Sequence, residues 1–354
     1  MTMKLKLETL TAVNVGNGEI ASQFSDYVYD GGFVYYLNHD LLLRELGEKP
    51  KSEEIIEEFV KVVQSQAKGS SGNRMRLKDF LEKNGLDYRK YALRKIPARE
   101  RITEQIQLHI KSGSQPYIPG SSLKGAIRTA LISFFLDSSE EGLKNKRKYI
   151  GQDLFGEFGE DVLKCLLVSD TLPFEEEDLE VVVFKRLNLK SKKSDIPVVK
   201  EVIRRGSVTT FTIKTKAKEN QVKEEFAFLQ AGKEDSLFEI INKYSRKNIE
   251  IELELLSRFR GEETKEIEDF YTTLLQRVEN ADHAKEAYLR IGSGKTFFDN
   301  TIGQKLSKQF IADLVRKNFR KADPNFFPKT WSVIRENLST EVPGWVRIAK
   351  EDYA

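Results

Sequence analysis

The sequence predicts an α+β fold, and three observations support this prediction. Segments with the two-residue alternation of β-strands and segments with the three- and four-residue spacing of α-helices occur in separate blocks along the chain. The blocks follow the order strand, hairpin, helices, strands, helices, strand, without the regular alternation of a doubly wound parallel sheet. Hydrophobic residues make up 39% of the 354 residues, and this fraction is enough to form a core.

Alternation and glycine indicate the N-terminal elements. Lysine and leucine alternate through residues 3–10, which is typical of a half-buried strand. Glycines mark the turns, and Leu, Ile and Val at helical spacing mark the helices after them. The sequence therefore predicts a glycine-rich turn at 14–19, a hairpin of 27–29 and 33–37 around Asp30-Gly31-Gly32, helices at 40–46 and 53–66, and a loop at 68–73.

The rest of the chain contains short predicted strands and longer predicted helices. A helix at 121–136 has an apolar face that includes Leu123 and Ile127, and Ser121 or Ser122 is placed to cap it. In chain order the other predicted elements are a strand at 101–111, a loop at 113–120, an exposed polar segment at 137–148, strands at 162–168, 179–184 and 208–213, charged helices within 219–277, a strand at 288–291, a helix at 301–319 and a strand at 343–348.

Scarce residue types exclude several functional classes. Cys165 is the only cysteine in the sequence, so neither an intrachain disulfide nor a cysteine-ligated zinc site can form. The histidines, His39, His109 and His283, are too dispersed to predict a metal site. No apolar run approaches the roughly 20 residues of a membrane helix, and residues 1–10 lack the apolar core of a signal peptide. We therefore expect a cytoplasmic protein without a cofactor.

The segment Gly292-Ser-Gly-Lys-Thr296 invites comparison with a nucleotide-binding loop. A P-loop needs a further glycine five positions before its Gly-Lys-Thr, so that successive backbone amides surround the phosphates, and here that position is Leu289. A glycine loop followed by a lysine can still hold another phosphate, including one from an RNA backbone. The candidate RNA-binding residues of this loop are Gly292, Ser293, Gly294 and Lys295.

The loop before the predicted helix at 121–136 also suits an anion. Two prolines stiffen it, and the first helical turn offers free N–H groups, two serine hydroxyls and, further along one face, two cations. Ordinary capping of a buried helix explains the same residues. Gly125 favours a close contact instead, because a mid-helix glycine costs about 1 kcal/mol relative to alanine. The candidates here are Gly120, Ser121, Ser122, Lys124 and Arg128.

Charge is segregated along the chain. The net charge is only +3, from 58 Lys and Arg against 55 Asp and Glu. Residues 185–220 contain eleven basic and three acidic residues, a balance of +8, and residues 305–321 have a balance of +5. A basic segment between strands is typical of phosphate-backbone binding, although solvated lysine surfaces are common. The candidate RNA-binding residues of the first segment are Lys192, Lys193, Arg204 and Arg205.

Three glycine-centred segments resemble the RAMP superfamily of CRISPR proteins. They are Val-Gly-Asn-Gly-Glu at 15–19, Tyr-Ile-Pro-Gly-Ser-Ser-Leu-Lys-Gly-Ala-Ile-Arg-Thr-Ala at 117–130 and Gly-Ser-Gly at 292–294, with weaker matches at 167–170 and 343–346. The resemblance extends from about residue 4 to 348. The chain departs from the pattern at Asn14, where related subunits often have histidine. An amide does not titrate near neutral pH, so this position is not expected to supply a general acid or base.

The resemblance implies a ferredoxin-like (RRM-type) RAMP core with helical and β-hairpin insertions, and a second, degenerate ferredoxin-like half. The implied halves are residues 1–175, with a helical insertion at about 40–100, and residues 176–354, with a basic β-arm at about 185–218, a helical region and a glycine-rich loop.

The resemblance also implies a function. It indicates a non-catalytic RNA-binding subunit of a type III-A (Csm) CRISPR complex that binds the 3′ region of crRNA, caps the backbone filament and supports crRNA 3′-end maturation. The implied partners are crRNA, the neighbouring backbone RAMP subunit, the small subunit and host nucleases, with no membrane. Asn14, Gly16 and Gly18 then join the candidate RNA-binding residues, and Tyr117 and Phe297-Phe298 are candidate stacking surfaces. A ribonuclease that trims the crRNA 3′ end and a protein-only adaptor stay open as alternatives.

Overall fold

The computed structural model shows a mixed α/β fold. It describes residues 2–65, 75–136, 151–157, 159–189, 191, 193–218, 222–230, 233, 235–259, 261–319, 323–336 and 339–351. The strands are β1 (Thr2–Thr9), β2 (Gly16–Ala21), β3 (Tyr27–Asp30), β4 (Phe33–Leu37), β5 (Ala92–Pro97), β6 (Ile106–His109), β7 (Lys111–Ser112), β8 (Gln115–Pro116), β9 (Leu166–Val168), β10 (Leu179–Asn188), β11 (Lys193–Ile203), β12 (Val208–Thr215), β13 (Glu286–Arg290), β14 (Thr330–Glu336), β15 (Ser339–Glu341) and β16 (Trp345–Lys350). The α-helices are α1 (His39–Gly47), α2 (Ser52–Gln64), α3 (Leu77–Lys83), α4 (Gly120–Phe135), α5 (Gln152–Phe155), α6 (Asp235–Leu256), α7 (Glu262–Glu279), α8 (Phe297–Asn300) and α9 (Lys308–Asn318).

Two larger sheets organise the described part of the chain. One has the strand order β13-β16-β1-β12-β9 and is antiparallel throughout. The other has the order β15-β14-β10-β11-β6-β2, in which the β11–β6 pair is parallel. Each sheet takes strands from both sides of residue 175, so the backbone crosses between the predicted halves repeatedly. Smaller sheets pair β3-β4-β5 and β7-β8.

The main core fills the space between these sheets and the helices α4 and α6. The alternation in β1 buries Leu5 and Leu7, and the apolar face of α4 buries Leu123, Ile127 and Leu131 against them. A separate cluster of apolar side chains forms between the β3-β4-β5 sheet and α1–α3. A third cluster surrounds the indole rings of Trp331 and Trp345 beside α6 and α7.

The strongest sequence patterns are confirmed. The strand β1, the β3–β4 hairpin, the helices α1, α2 and α4, and the strands β13 and β16 lie within a few residues of their predicted positions. The hairpin turn has positive φ at Gly31 (57°) and Gly32 (84°), as a tight two-residue hairpin turn requires.

Several predicted elements need correction. The glycine-rich turn at 14–19 is largely the edge strand β2, which pairs irregularly with β6 between Gly16 and Ile20. The basic segment after 185 is mostly strand, because β10 and β11 pair from Leu179↔Ile203 to Asn188↔Lys193. The predicted strand at 101–111 is limited mainly to β6, and the helix predicted from 301 begins at Lys308. The predicted segments 68–73 and 137–148 lie outside the described residues.

Candidate nucleic-acid interface

Asn14 joins two of the three glycine segments. Its side chain is buried, its Nδ2 donates to the Glu201 carbonyl at 2.8 Å, and its Oδ1 accepts from the Ser293 hydroxyl at 2.7 Å. The Ser293 amide also donates to the Asn14 carbonyl at 2.8 Å. The Asn14 side chain is therefore buried and anchors the loop at 292–295, and its contact with RNA stays a prediction.

The glycines of this loop are required by close packing. Gly292 has φ +68°, and a Cβ at that position would overlap the Asn14 carbonyl oxygen. Gly294 has φ +90°, and a Cβ there would lie 2.7 Å from Pro343 and 3.3 Å from both the Phe184 ring and Ser332. The loop thus lies directly on β10 and β14 of the six-stranded sheet.

A buried arginine holds the inner side of the loop. Arg290 is 3% exposed and donates from Nη2 to the Gly294 carbonyl at 2.9 Å, from Nε to the Pro343 carbonyl at 3.0 Å, and from Nη1 to the Asp299 carboxylate. Both charges are buried, so removing either one would leave the other uncompensated. This network fixes the conformation of the loop from below.

A second carboxyl group lies in the same network. Glu252 on α6 accepts hydrogen bonds from the Thr296 hydroxyl and, at 2.5 Å, from the Trp331 indole N–H. Burial, followed by the nearby charge of Asp299, raises the pKa of Glu252 to about 8. The carboxyl group is therefore mainly protonated at neutral pH.

His109 connects the segment at 15–19 to the loop before α4. It is fully buried, its Nδ1 accepts from the Val15 amide at 3.2 Å, and its Nε2 lies 3.0 Å from the Tyr117 carbonyl, which requires a proton on Nε2. Burial lowers the pKa of His109 to about 3, so the ring is neutral. This role was not predicted, because a lone histidine in an apolar strand carries no signal of its partners.

The N-terminus of α4 already holds a carboxylate of this chain. Pro119 is the N-cap residue and the Gly120 amide donates to Asp170 Oδ1 at 2.7 Å, so the predicted serine caps are wrong. A Cβ at Gly120 would overlap the Val168 carbonyl oxygen, which explains the glycine by packing against β9. A phosphate at this helix end would have to compete with Asp170, although the Ser121 side chain is exposed and Ser122 is half-buried.

The two cations of α4 have different environments. Arg128 pairs with Asp161 at 2.6 Å and lies over the Phe155 ring at 5.3 Å, so it already has an anion within the chain. Lys124 is half-buried, and burial lowers its pKa. Gly125 is exposed with nothing within 4 Å of a Cβ, so the expected close contact does not lie within the described residues.

Two strands of the six-stranded sheet, β10 and β11, add cations beside the glycine loop. Lys200 Nζ donates to Gln107 Oε1 at 2.6 Å and lies 5.4 Å from the Phe184 ring, on which the loop packs. Burial, followed by the charge of Arg186, lowers the pKa of Lys200 to about 8. We call the following set the glycine-loop surface: Gly16–Ile20, Gln107, Arg186, Lys200 and Gly292–Lys295.

Of the other predicted basic residues, Arg204 and Arg205 are the ones whose side chains the structure describes. Lys192 is outside the described residues, and Lys193 is placed only as the first backbone position of β11. Arg204 lies 3.8 Å from Asp178, and Arg205 lines a cavity with Glu266 and Asp269 of α7. In the sequence, Arg186 and Lys200 are recognisable only as members of a basic segment. The pairing of β10 with β11 brings them to the same surface, and the sequence does not show this pairing.

The predicted stacking surfaces are only partly accessible. Phe298 is buried, and Phe297 packs edge-on against Phe298 and Phe327 at 5.3 and 4.9 Å. Phe298 is therefore a core residue, and Phe297 is half-buried with its ring packed against aromatic neighbours. Tyr117 is half-buried beside the α4 N-terminus.

Across the residues that the structure describes, no helix combines the length and apolarity needed to cross a membrane. Within the same residues, His, Cys, Asp and Glu side chains do not cluster in threes that could hold a metal ion.

Comparison with known proteins places the chain in a family. The model of the RAMP superfamily matches residues 6–298, and the chain therefore belongs to this superfamily. It is 27% identical to a Methanocaldococcus jannaschii protein named CRISPR system Cms protein Csm5, over 98% of this chain and 89% of that one. A Streptococcus thermophilus protein of the same name is 26% identical over 60% of this chain and 64% of its own length.

Solved structures share the fold. A chain of the cryo-EM structure of a Csm-crRNA-target RNA ternary complex in a type III-A CRISPR-Cas system matches with a TM-score of 0.70 and 20% identity, over 98% of this chain and 100% of that chain. The crystal structure of T. onnurineus Csm5 matches with a TM-score of 0.65 and 21% identity, over 96% and 99% of the two chains.

Proposed function

We propose that this chain is a crRNA-binding subunit of a type III-A Csm complex. In this role it binds the 3′ region of crRNA, caps the filament of backbone RAMP subunits and supports crRNA 3′-end maturation without cleaving RNA itself. Three findings support the proposal: membership of the RAMP superfamily, similarity along nearly the whole chain to a protein named Csm5, and fold likeness to a chain of a Csm–crRNA–target RNA complex.

The convergence of the glycine segments carries the proposal. Asn14 ties the loop at 292–295 to the start of β2, and His109 ties the neighbouring Val15 to Tyr117. The resulting glycine-loop surface combines backbone close to the surface with Arg186, Lys200 and Lys295. Backbone amides and cations of this kind position a phosphate chain without reading its sequence.

The residues beneath this surface support binding rather than acid–base chemistry. Both ring nitrogens of His109 have backbone partners, and its lowered pKa keeps the ring neutral. Asn14 has no group that titrates near neutral pH. Neither residue is suited to act as a general acid or base.

The proposal extends to the architecture and to the partners. The two-sheet fold is interpreted as a ferredoxin-like (RRM-type) core with a degenerate second half, with the boundary near residue 175. The neighbouring backbone subunit, the small subunit and host nucleases then contact faces other than the glycine-loop surface, because RNA occupies that surface.

An RNA-binding assay with charge-matched variants tests this function. Replacing both Arg186 and Lys295 by alanine should weaken binding of single-stranded RNA and lower the salt dependence of log K by about 0.7 for each phosphate that is no longer neutralised. The control is the double replacement of Lys61 and Lys317, two exposed lysines outside the glycine-loop surface. Filter binding over a salt series measures both quantities, and equal effects of the two double variants would contradict the proposal.

A further inference from the structure

A large groove separates α6 from α9 and lies apart from the glycine-loop surface. Its volume is about 680 Å³, within the range of ligand-binding clefts. The floor is formed by half-buried apolar side chains, which leave part of their surface to solvent. These floor residues are Ile251, Leu255, Leu306, Ile311, Ala312 and Phe327.

The rim of the groove is basic. Lys247, Arg258, Lys308 and Arg316 line it, and Glu254 is the one acidic residue among its described lining. Each rim cation already has a carboxylate partner within the chain: Arg258 and Lys308 pair with Glu254 at 2.5 and 3.0 Å, Lys247 pairs with Glu250 at 3.5 Å, and Arg316 pairs with Asp313 at 2.8 Å. Four cations thus face three carboxylates, and the side chains of these pairs are more than a third exposed, so the pairs are weak enough to exchange for a partner's carboxylates.

The lining residues follow helical spacing on both walls. On α6 they are spaced as 247, 251, 254 and 255, with 258 just beyond its end, and on α9 as 308, 311, 312 and 316. Two helix faces with an apolar floor between them accept a third helix by the same packing. We propose that this groove binds an acidic amphipathic helix of a protein partner.

A protein helix fits the groove better than an RNA strand does. The floor is mainly aliphatic, whereas single-stranded RNA is held by stacking of its bases on accessible aromatic faces. Of the aromatic lining residues, Phe298 is buried and Phe327 is packed against the rings of Phe297 and Phe319.

Two model peptides test the proposal with the full chain. Both carry leucine at every third and fourth position, and the polar face is glutamate in one and lysine in the other. By fluorescence anisotropy the glutamate peptide should bind at least about tenfold more tightly, and Lys308→Glu should weaken it by about tenfold. Lys317→Glu, on the same helix but outside the lining, should change its affinity by less than about threefold.

Three results would overturn the proposal. The first is equal binding of the two peptides, and the second is an equal loss in both charge-reversal variants, which would indicate unspecific attraction. The third is an oligo(U) RNA whose affinity falls with Lys308→Glu but not with Lys317→Glu, which would make the groove an RNA site. Since Lys308 is 84% exposed, its reversal leaves the fold intact, and an unchanged urea midpoint checks this.

Discussion

Asn14 and His109 show how single buried polar residues assemble a surface from distant segments. Asn14 is bonded to Ser293, 279 positions later, and His109 accepts from Val15, 94 positions earlier. Both side chains are buried and hydrogen-bonded within the protein. They position the glycine backbone, and the exposed Gly16–Ile20 and Arg186, with the half-buried Gly292–Lys295 and Lys200, do the binding that we propose.

Alanine substitutions at two glycines with positive φ should differ in their cost to stability. Gly292→Ala should cost several kcal/mol or displace the loop, because its Cβ would overlap backbone at Asn14. Gly18 has φ +88° with nothing within 4 Å of a Cβ, so Gly18→Ala should cost only about 1–2 kcal/mol. Urea unfolding measures both free energies. Equal costs would mean that the loop does not rest on Asn14.

Lys200 gives RNA binding a pH dependence. Its pKa of about 8 in the free protein should rise when a phosphate lies beside it, so binding takes up a proton above pH 8. RNA affinity should therefore fall by up to about tenfold between pH 8 and pH 9. Lys200→Arg keeps its charge in this range and should give a flatter profile in the same filter-binding assay. Identical profiles would remove Lys200 from the interface.

The candidate site could be predicted from the sequence only in part. The three glycine segments were identified because glycine and proline are rare enough to mark special backbone. The bonds that join the segments could not be predicted, since Asn14, His109 and Arg290 are ordinary residues within strands or next to them. Their partners are set by how the sheets pair, which a single sequence does not show.

At the scale of elements, the correction at α4 is the most informative. The helix was expected to offer an open N-terminus, but Asp170, 50 residues later, accepts from its first amide. Strands with clear alternation, such as β1, were predicted well because half of each strand is buried. The basic segment shows no clear strand alternation because charged residues interrupt β11, and only its pairing with β10 and β6 defines it as strand.

The buried end of α6 makes stability depend on pH. The pKa of Glu252 is about 8 in the folded protein and 4.5 ordinarily, so the folded state binds more protons between these values. The free energy of unfolding should then fall as pH rises from about 5 to 8, by as much as about 1.4 kcal/mol per pH unit.

Replacing the Glu252 carboxyl group by a neutral amide should remove most of the pH dependence of the free energy of unfolding. In Glu252→Gln the urea-unfolding free energy should change less between pH 5 and pH 8 than in the native protein. Glu250→Gln, on the same helix with an exposed carboxylate, should behave like the native protein. A slope that is unchanged in Glu252→Gln would contradict the burial of an uncharged carboxyl group there.

For the whole molecule, the near-neutral net charge is the sum of separate basic and acidic regions. In our proposal the basic residues of the glycine-loop surface contact crRNA, whereas α6 and α7 contain more acidic than basic residues. The two large sheets each combine early and late strands, so the glycine-loop surface exists only in the complete fold.

A crosslinking map on the assembled complex tests the central claim most directly. crRNA with 4-thiouridine throughout its 3′ region would be irradiated in the complex, and the crosslinked peptides of this chain identified by mass spectrometry. We predict crosslinks in the segments 16–20 and 292–295, with further crosslinks near Gln107 and Arg186. Crosslinks confined to α6 and α7, with none on the glycine-loop surface, would contradict the account.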